Sequence, residues 1–166
     1  PRAIRDVYKR QVYEGLKYIM RDDPEETIGI VLVHDAARCF APAELFSTVT
    51  ERVRTIMSQN VAAGVVPALP VVDTIKMVDS SGNVLGTPDR TRLRRVQTPQ
   101  GFDAKLLWTL HQEARKEGLS TTDDAALLEK FQFGVATVPG DEKALKITTP
   151  TDLRLAQFFS ARASAR

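Results

Sequence analysis

Apolar residues along this chain switch between a three-to-four-residue spacing and unbroken β-branched runs, the alternation expected of an α/β domain. Helical spacing begins at Val12 and continues through Leu16, Ile19 and Met20, predicting a helix over residues 11–21 that stops at Asp22-Asp23-Pro24. Residues 28–34 are a continuous apolar run and predict a strand buried on both faces. Pro42 suits the first turn of a helix whose inner face carries Leu45, Phe46, Val49, Val53, Ile56 and Met57. Residues 61–66 read as the neighbouring parallel strand, reached by a right-handed crossover.

The pattern then shortens. Residues 71–78 and Val84-Leu85 flank Asp79-Ser80-Ser81-Gly82-Asn83, a hairpin signal, and residues 91–97 look extended. Residues 76–96 therefore predict a β-arm leaving the sheet. Residues 102–117 predict a helix with Asp103 in its first turn and Gly118 as its stop. Thr122 suits the N-cap of a short helix over 123–130, with Asp123 and Asp124 at its positive end. Residues 134–138 and 144–147 predict short strands, and Thr149 or Thr151 opens a last helix with Leu153, Leu155, Ala156 and Phe159 facing inward. Residues 12–160 then form one α/β domain on a mixed sheet. Residues 1–11, with Arg2, Arg5, Lys9 and Arg10 but no apolar period, read as a frayed or foreign extension, and 161–166 as a tail.

Composition narrows the function classes. The 166 residues suffice to bury a real core. A net charge of +2, from 23 basic and 21 acidic side chains, argues against a dedicated nucleic-acid or membrane-surface binder. One cysteine, Cys39, rules out an intrachain disulfide and points to a reducing cytoplasm. No apolar run approaches a membrane span.

Chemistry-bearing residues gather where apolar runs end. The strand at 28–34 runs into His34-Asp35-Ala36-Ala37-Arg38, at the carboxyl edge where open α/β sheets bind ligands. A carboxylate for a metal, a guanidinium for phosphate and two small residues suit a nucleotide-phosphate corner; they equally suit an ordinary strand exit with a surface ion pair. Further clusters are Pro70-Val71-Val72-Asp73-Thr74, Asp89-Arg90, Thr98-Pro99-Gln100, Thr122-Asp123-Asp124 and Lys146-Ile147-Thr148-Thr149-Pro150. Hydroxyls, a lysine and arginines on one rim would make a phosphate pocket. His34 reads as a satisfied structural histidine, Cys39 as a packing residue, Asp73 as a backbone-bonding carboxylate and Lys146 equally as a solvated lysine alternating out of a strand.

The phrases VHDAAR (33–38), PVVDTIK (70–76), Asp89-Arg90, VQTPQGF (96–102), TDDAALLE (from Thr122) and KITTPTDL (146–153) together resemble the 2-C-methyl-D-erythritol 4-phosphate cytidylyltransferases over about residues 12–159. The resemblance implies a Rossmann-like three-layer nucleotidyltransferase fold, mixed but mostly parallel, with the arm reaching across a homodimer. It implies CMP transfer from CTP to a sugar-alcohol phosphate, releasing pyrophosphate in the non-mevalonate isoprenoid route. Asp35 then lies near Mg²⁺ and the CTP phosphates, Ala36 lets the nucleotide approach, and Arg38 sits by the sugar phosphate. Thr74, Arg90, Thr98, Thr122 and Lys146 match the sugar-phosphate residues, with Arg90 and Lys146 catalytic. Thr74, Arg90 and Thr98 would serve the partner's site.

Departures from that pattern are informative. The family's Gly-rich loop, with its Arg and Lys for the CTP phosphates, is absent, which predicts weak CTP affinity for the isolated chain or a catalytically inactive fragment. Gln11 stands where the family has serine, and Cys39 where proline usually follows the arginine. Ribitol-5-phosphate cytidylyltransferase is the rival enzyme, although such relatives tend toward a bulkier residue than Ala37. A nucleic-acid-binding arm using Arg90, Arg92, Arg94 and Arg95 is the rival of another class, disfavoured because no aromatics interleave.

Overall fold

Strand β1 (Ile30–Val33) divides its side chains between two separate cores. Val31 packs with Leu16, Phe102, Leu107, Leu110 and Leu128, whereas Leu32 packs with Val49, Val53, Ile56 and Val65. That split follows from the two-residue period of a strand and makes the sheet the middle of three layers. The computed structural model describes residues 2–25 and 27–163, with side chains at 11–25 and 27–161. Residues 2–11 of the extension read as frayed or foreign are helical in backbone, continuous with the predicted helix, and residues 161–163 of the expected tail are helical as well; residue 1 and residues 164–166 lie outside what is described.

On one side lie helices α1 (Arg2–Asp22), α3 (Ala104–Lys116) and α4 (Asp124–Lys130); on the other lies α2 (Ala43–Gln59). Strands β2 (Gly64–Pro70), β5 (Arg94–Val96), β6 (Gln100–Asp103) and β7 (Val135–Pro139) complete the main sheet. β6 lies between β1 and β2, antiparallel to both, while β7 pairs parallel with β2 and β5 antiparallel. β1 and β2 do run in the same direction, but they are not neighbours, contrary to the sequence expectation. Phe102 reads in sequence as the first residue of a helix, but with Gln100 and Gly101 it fills the slot between β1 and β2 as a reversed strand. The sheet is therefore mostly parallel in strand direction but not in pairing.

Two glycines make the close packing possible. A Cβ on Gly101 would lie 2.7 Å from Val49 Cγ1 and 2.8 Å from Val53 Cγ2, on the α2 side. One on Gly64 would meet Leu128 and Phe102 at 2.9 Å, on the other side.

Local chemistry sets the ends. Asp103, expected inside the first turn of α3, is its N-cap, accepting Leu106 N–H at 2.7 Å, and Gly118 follows the helix at φ +63°. Asp123, not Thr122, caps α4, accepting Ala126 N–H at 2.8 Å. Helix α5 (Pro150–Ala163) opens at Thr149, whose backbone N–H bonds Asp152 while its hydroxyl accepts Asp152 N–H, a reciprocal cap. Among the described side chains of α5 only Ala156 is buried; Leu153 and Leu155, expected inward, are 51% and 44% exposed. That helix leans on a loop, with Phe159 edge-on to Phe40, instead of on the sheet.

Strands β3 (Met77–Val78) and β4 (Val84–Gly86) form the predicted hairpin as a separate two-stranded sheet. Asp79 Oδ1 accepts both Ser81 and Asn83 N–H at 2.9 Å, and Gly82 takes φ +86°. Met77, Val78, Val84 and Leu85 are all more than half exposed, as befits a projecting arm. Two extended segments expected from sequence are not strands. Residues 71–76 are irregular, and 144–147 follow a 3₁₀ turn (Glu142–Ala144) with no ladder.

Candidate active site

β1 ends at Val33, and the chain turns sharply at Asp35, whose Oδ1 accepts Ala37 N–H at 3.1 Å. This Asx turn aims the other oxygen at Lys146, whose Nζ lies 2.6 Å from Oδ2. Arg38, half-buried, donates Nη1 to the Ala144 carbonyl at 2.7 Å and reaches the Val96 carbonyl at 3.5 Å. Ile147 N–H returns to the Ala37 carbonyl at 2.9 Å. Thr98 Oγ1 accepts Asp35 N–H at 2.9 Å and lies 3.1 Å from His34 Nδ1. Asp35, Ala36, Arg38, Thr98 and Lys146 thus share one mouth at the carboxyl end of β1.

Its electrostatics are matched. Burial pushes the Asp35 carboxyl up, but the Lys146 hydrogen bond, the Ala37 amide and the charges of Lys146 and Arg38 outweigh it, leaving a pKa below the ordinary value. Burial lowers the Arg38 pKa, and the Asp35 charge opposes this. An unpartnered buried Arg38 Nε adds a donor with no acceptor in its own chain. Two cations around one carboxylate leave a positive balance suited to an anionic ligand.

The remaining expected residues make other contacts. Arg90 Nη1 donates to the Val72 carbonyl at 2.7 Å, beside the arm, and Thr74 is exposed on the same irregular stretch. Thr122 is exposed just before α4; its neighbour Asp123 accepts from Gln100 Nε2 at 3.0 Å, tying that turn to the β6 residue opposite Val33. Among the described residues, Thr74, Arg90 and Thr122 form no hydrogen bond with Asp35, Arg38 or Lys146.

His34 is satisfied structurally, with its ring 4.9 Å from that of Phe46. Cys39 is exposed, so the packing role expected for it does not hold: the loop turns outward after Arg38. Asp73 is also exposed and caps no amide among the described residues. On the arm's return strand, Arg94 donates to the Thr91 and Leu93 carbonyls and Arg95 pairs with Glu142, both at the exposed surface.

Sequence reading missed Gln97. It is 5% exposed and bonds the turn at Asp141–Ala144 that leads to Lys146. Its neighbours, Arg94-Arg95-Val96 and Thr98-Pro99-Gln100, give no apolar pattern that would mark it as buried, and a buried glutamine must find partners. The His111–Asp124 pair, at 2.8 Å with both side chains buried, was missed as well. Among the described residues no group of three His, Cys, Asp or Glu side chains is placed to hold a metal, and no helix is long and apolar enough to cross a membrane.

Comparison with known proteins identifies the family and the fold. The family model for IspD, 2-C-methyl-D-erythritol 4-phosphate cytidylyltransferase, matches residues 6–162. The Microcystis aeruginosa protein of that name is 47% identical over 151 residues, covering 91% of this chain and 62% of the relative. The Nocardia farcinica protein is 50% identical over 137 residues, covering 82% and 56%. The crystal structure of 4-diphosphocytidyl-2C-methyl-D-erythritol synthase from Anaerococcus prevotii superposes with a TM-score of 0.79 at 31% identity, covering 92% of this chain and 63% of that one. The Thermus thermophilus cytidylyltransferase gives 0.70 at 36% identity, covering 86% and 67%. This chain spans about three fifths of the length of the curated relatives it matches. With its three-layer sheet and the family match over nearly its whole length, the chain belongs to the 2-C-methyl-D-erythritol 4-phosphate cytidylyltransferase family.

Proposed function

We propose that this protein transfers a cytidylyl group from CTP to the phosphate of 2-C-methyl-D-erythritol 4-phosphate, releasing pyrophosphate. The observation that carries the reading is the meeting of Lys146, Asp35 and Arg38 at one mouth, within the family's fold. An acceptor phosphate oxygen attacks the α-phosphorus as the bond to pyrophosphate breaks. A phosphate monoester is already largely dianionic near neutrality, so no general base is needed. The protein's work is alignment and neutralisation of crowded charge.

In this reading Lys146 exchanges Asp35 for the acceptor phosphate, with Arg38 beside it. The exposed, side-chain-poor Ala36 leaves room for the nucleotide. Asp35, released from Lys146, offers one carboxylate, and among the described residues no group of three His, Cys, Asp or Glu side chains gathers to enclose a metal. That donor set fits Mg²⁺, which keeps most of its waters and takes other oxygens from the triphosphate. Bound there, Mg²⁺ would neutralise the triphosphate. Thr98, which holds the Asp35 N–H of its own chain, serves that chain's site instead of the partner's site expected for it, and Thr122 supplies a further hydroxyl to the acceptor phosphate. The exposed hairpin carries Thr74 and Arg90 to the site of a second copy in a homodimer, in the cytoplasm that one unpaired cysteine suits.

The test is pyrophosphate release with CTP and Mg²⁺, offering methylerythritol phosphate and ribitol phosphate separately, alongside calorimetric binding of each. Preference for methylerythritol phosphate supports the reading. Preference for ribitol phosphate, or binding of neither, overturns it.

A further inference from the structure

Lys146 has no ladder or helix to hold it. Its position depends on the turn before it, on the bond from Ile147 to Ala37 and on the cap after it, where Thr148 N–H bonds Asp152. Gln97 grips that turn from the sheet. Its backbone N–H is fixed to the Pro67 carbonyl of β2 at 2.8 Å. Its side-chain Oε1 accepts Asp141 N–H at 3.0 Å, and Nε2 donates to the carbonyls of Asp141 at 2.8 Å and Ala144 at 3.3 Å. A Cβ at Gly140 would run into Oε1, so there is no slack beside the amide.

The Ala144 carbonyl has two holders, Gln97 and Arg38. They are not equivalent. Arg38 is a cation at the mouth, the group an incoming phosphate would recruit. Once Arg38 turns to phosphate, the neutral, buried Gln97 is the holder that remains.

We propose that Gln97 is a positioning residue: it keeps the Asp141–Ala144 turn in place so that Lys146 meets the acceptor phosphate while Arg38 is engaged there. The phosphate half of this rests on the cytidylyltransferase reading; the grip on Lys146 does not.

Gln97→Met keeps length and volume but removes the amide, and Gly140→Ala disturbs the same amide from the opposite side. Each should weaken calorimetric binding of methylerythritol phosphate about tenfold, a misplacement effect. In a Lys146→Met background the same changes should have little further effect, because their action passes through Lys146. Equal losses in both backgrounds would mark mere destabilisation and overturn the proposal. Independently, acylation of Lys146 by an N-hydroxysuccinimide ester, measured by mass spectrometry against Lys143, should rise severalfold in Gln97→Met. Unchanged acylation overturns the grip. If Gln97→Met fails to fold, Gly140→Ala decides both readouts. If the unmodified chain binds no methylerythritol phosphate, the reaction reading fails and acylation alone decides on Gln97.

Discussion

Lys146 and Asp35 meet at 2.6 Å although one follows the last strand of the main sheet and the other follows its first. Neither sits in regular structure. An Asx turn presents the carboxylate, and the segment after the 3₁₀ turn at Glu142–Ala144 presents the amine. The pair is half open to solvent, with side-chain exposures of 49% and 22%. An ion pair so placed is poor fold cement and accessible to a competing anion.

Removing the amine should therefore separate stability from binding. Lys146→Met is expected to change folding stability by less than about 1 kcal/mol, the range of solvent-screened pairs. It should weaken methylerythritol phosphate binding by tenfold or more, since a charge-assisted contact is lost. Urea denaturation and calorimetry measure the two effects. A large stability loss with unchanged binding would contradict the assignment.

Acid should reveal Asp35. Its carboxyl lies low because, against burial, Lys146, Ala37 and Arg38 favour the charged form. A carboxyl lower in the folded than in the unfolded state adds stability that is fully present above the unfolded pKa. That stability is lost as pH falls through the folded value. Asp23, Asp79, Asp89 and Asp152, whose carboxylates accept from nearby hydroxyls and backbone amides in loops, turns and caps, shift in the same direction. The urea midpoint should stay level down to about pH 5 and then fall. Asp35→Asn should start lower at neutral pH and fall less steeply; an unaltered slope would exclude Asp35 as a contributor.

Much of this was legible in sequence because it was local. Helices α2, α3 and α4 follow apolar spacing, and the hairpin follows from Asp79 to Asn83. Convergence of Asp35, Arg38 and Lys146 followed from family phrases, not from spacing. Pairing order was not legible, because Gln100-Gly101-Phe102 carries no strand period, and only the space beside Gly101 shows why it is inserted between β1 and β2. Gln97 and His111 escaped for another reason. Buried polar side chains are chosen by partners distant in sequence, Asp141 and Asp124 here, and no local pattern encodes that.

Gly101 offers a test of the inserted strand. The missing Cβ is what allows α2 to lie against β6, with Val49 and Val53 fully buried over it. Gly101→Ala should destabilise by about 1–3 kcal/mol through overpacking. A double substitution trimming Val49 to alanine should recover part of the loss, because the overlap is then relieved. Denaturant midpoints of the single and double variants measure this, and strict additivity would mean the clash lies elsewhere.

Subunit complementation would show whether the arm works across a dimer. The hairpin exposes Met77, Val78, Val84 and Leu85, and Arg90 is anchored at its base to the Val72 carbonyl. If Arg90 acts in a partner's site, Arg90→Ala and Lys146→Met each disable every site of their own homodimers. Mixing the two at equal amounts, with subunit exchange, pairs half of the chains as hybrids. One site in each hybrid then receives both an intact Arg90 and an intact Lys146. Activity should return to about a quarter of the unmodified level in a two-fold symmetric dimer. Recovery should vanish when Val84 and Leu85 are both changed to glutamate, which would charge the exposed apolar hairpin. A mixture as inactive as either variant alone would place Arg90 and Lys146 in the same subunit's site and remove the arm from catalysis.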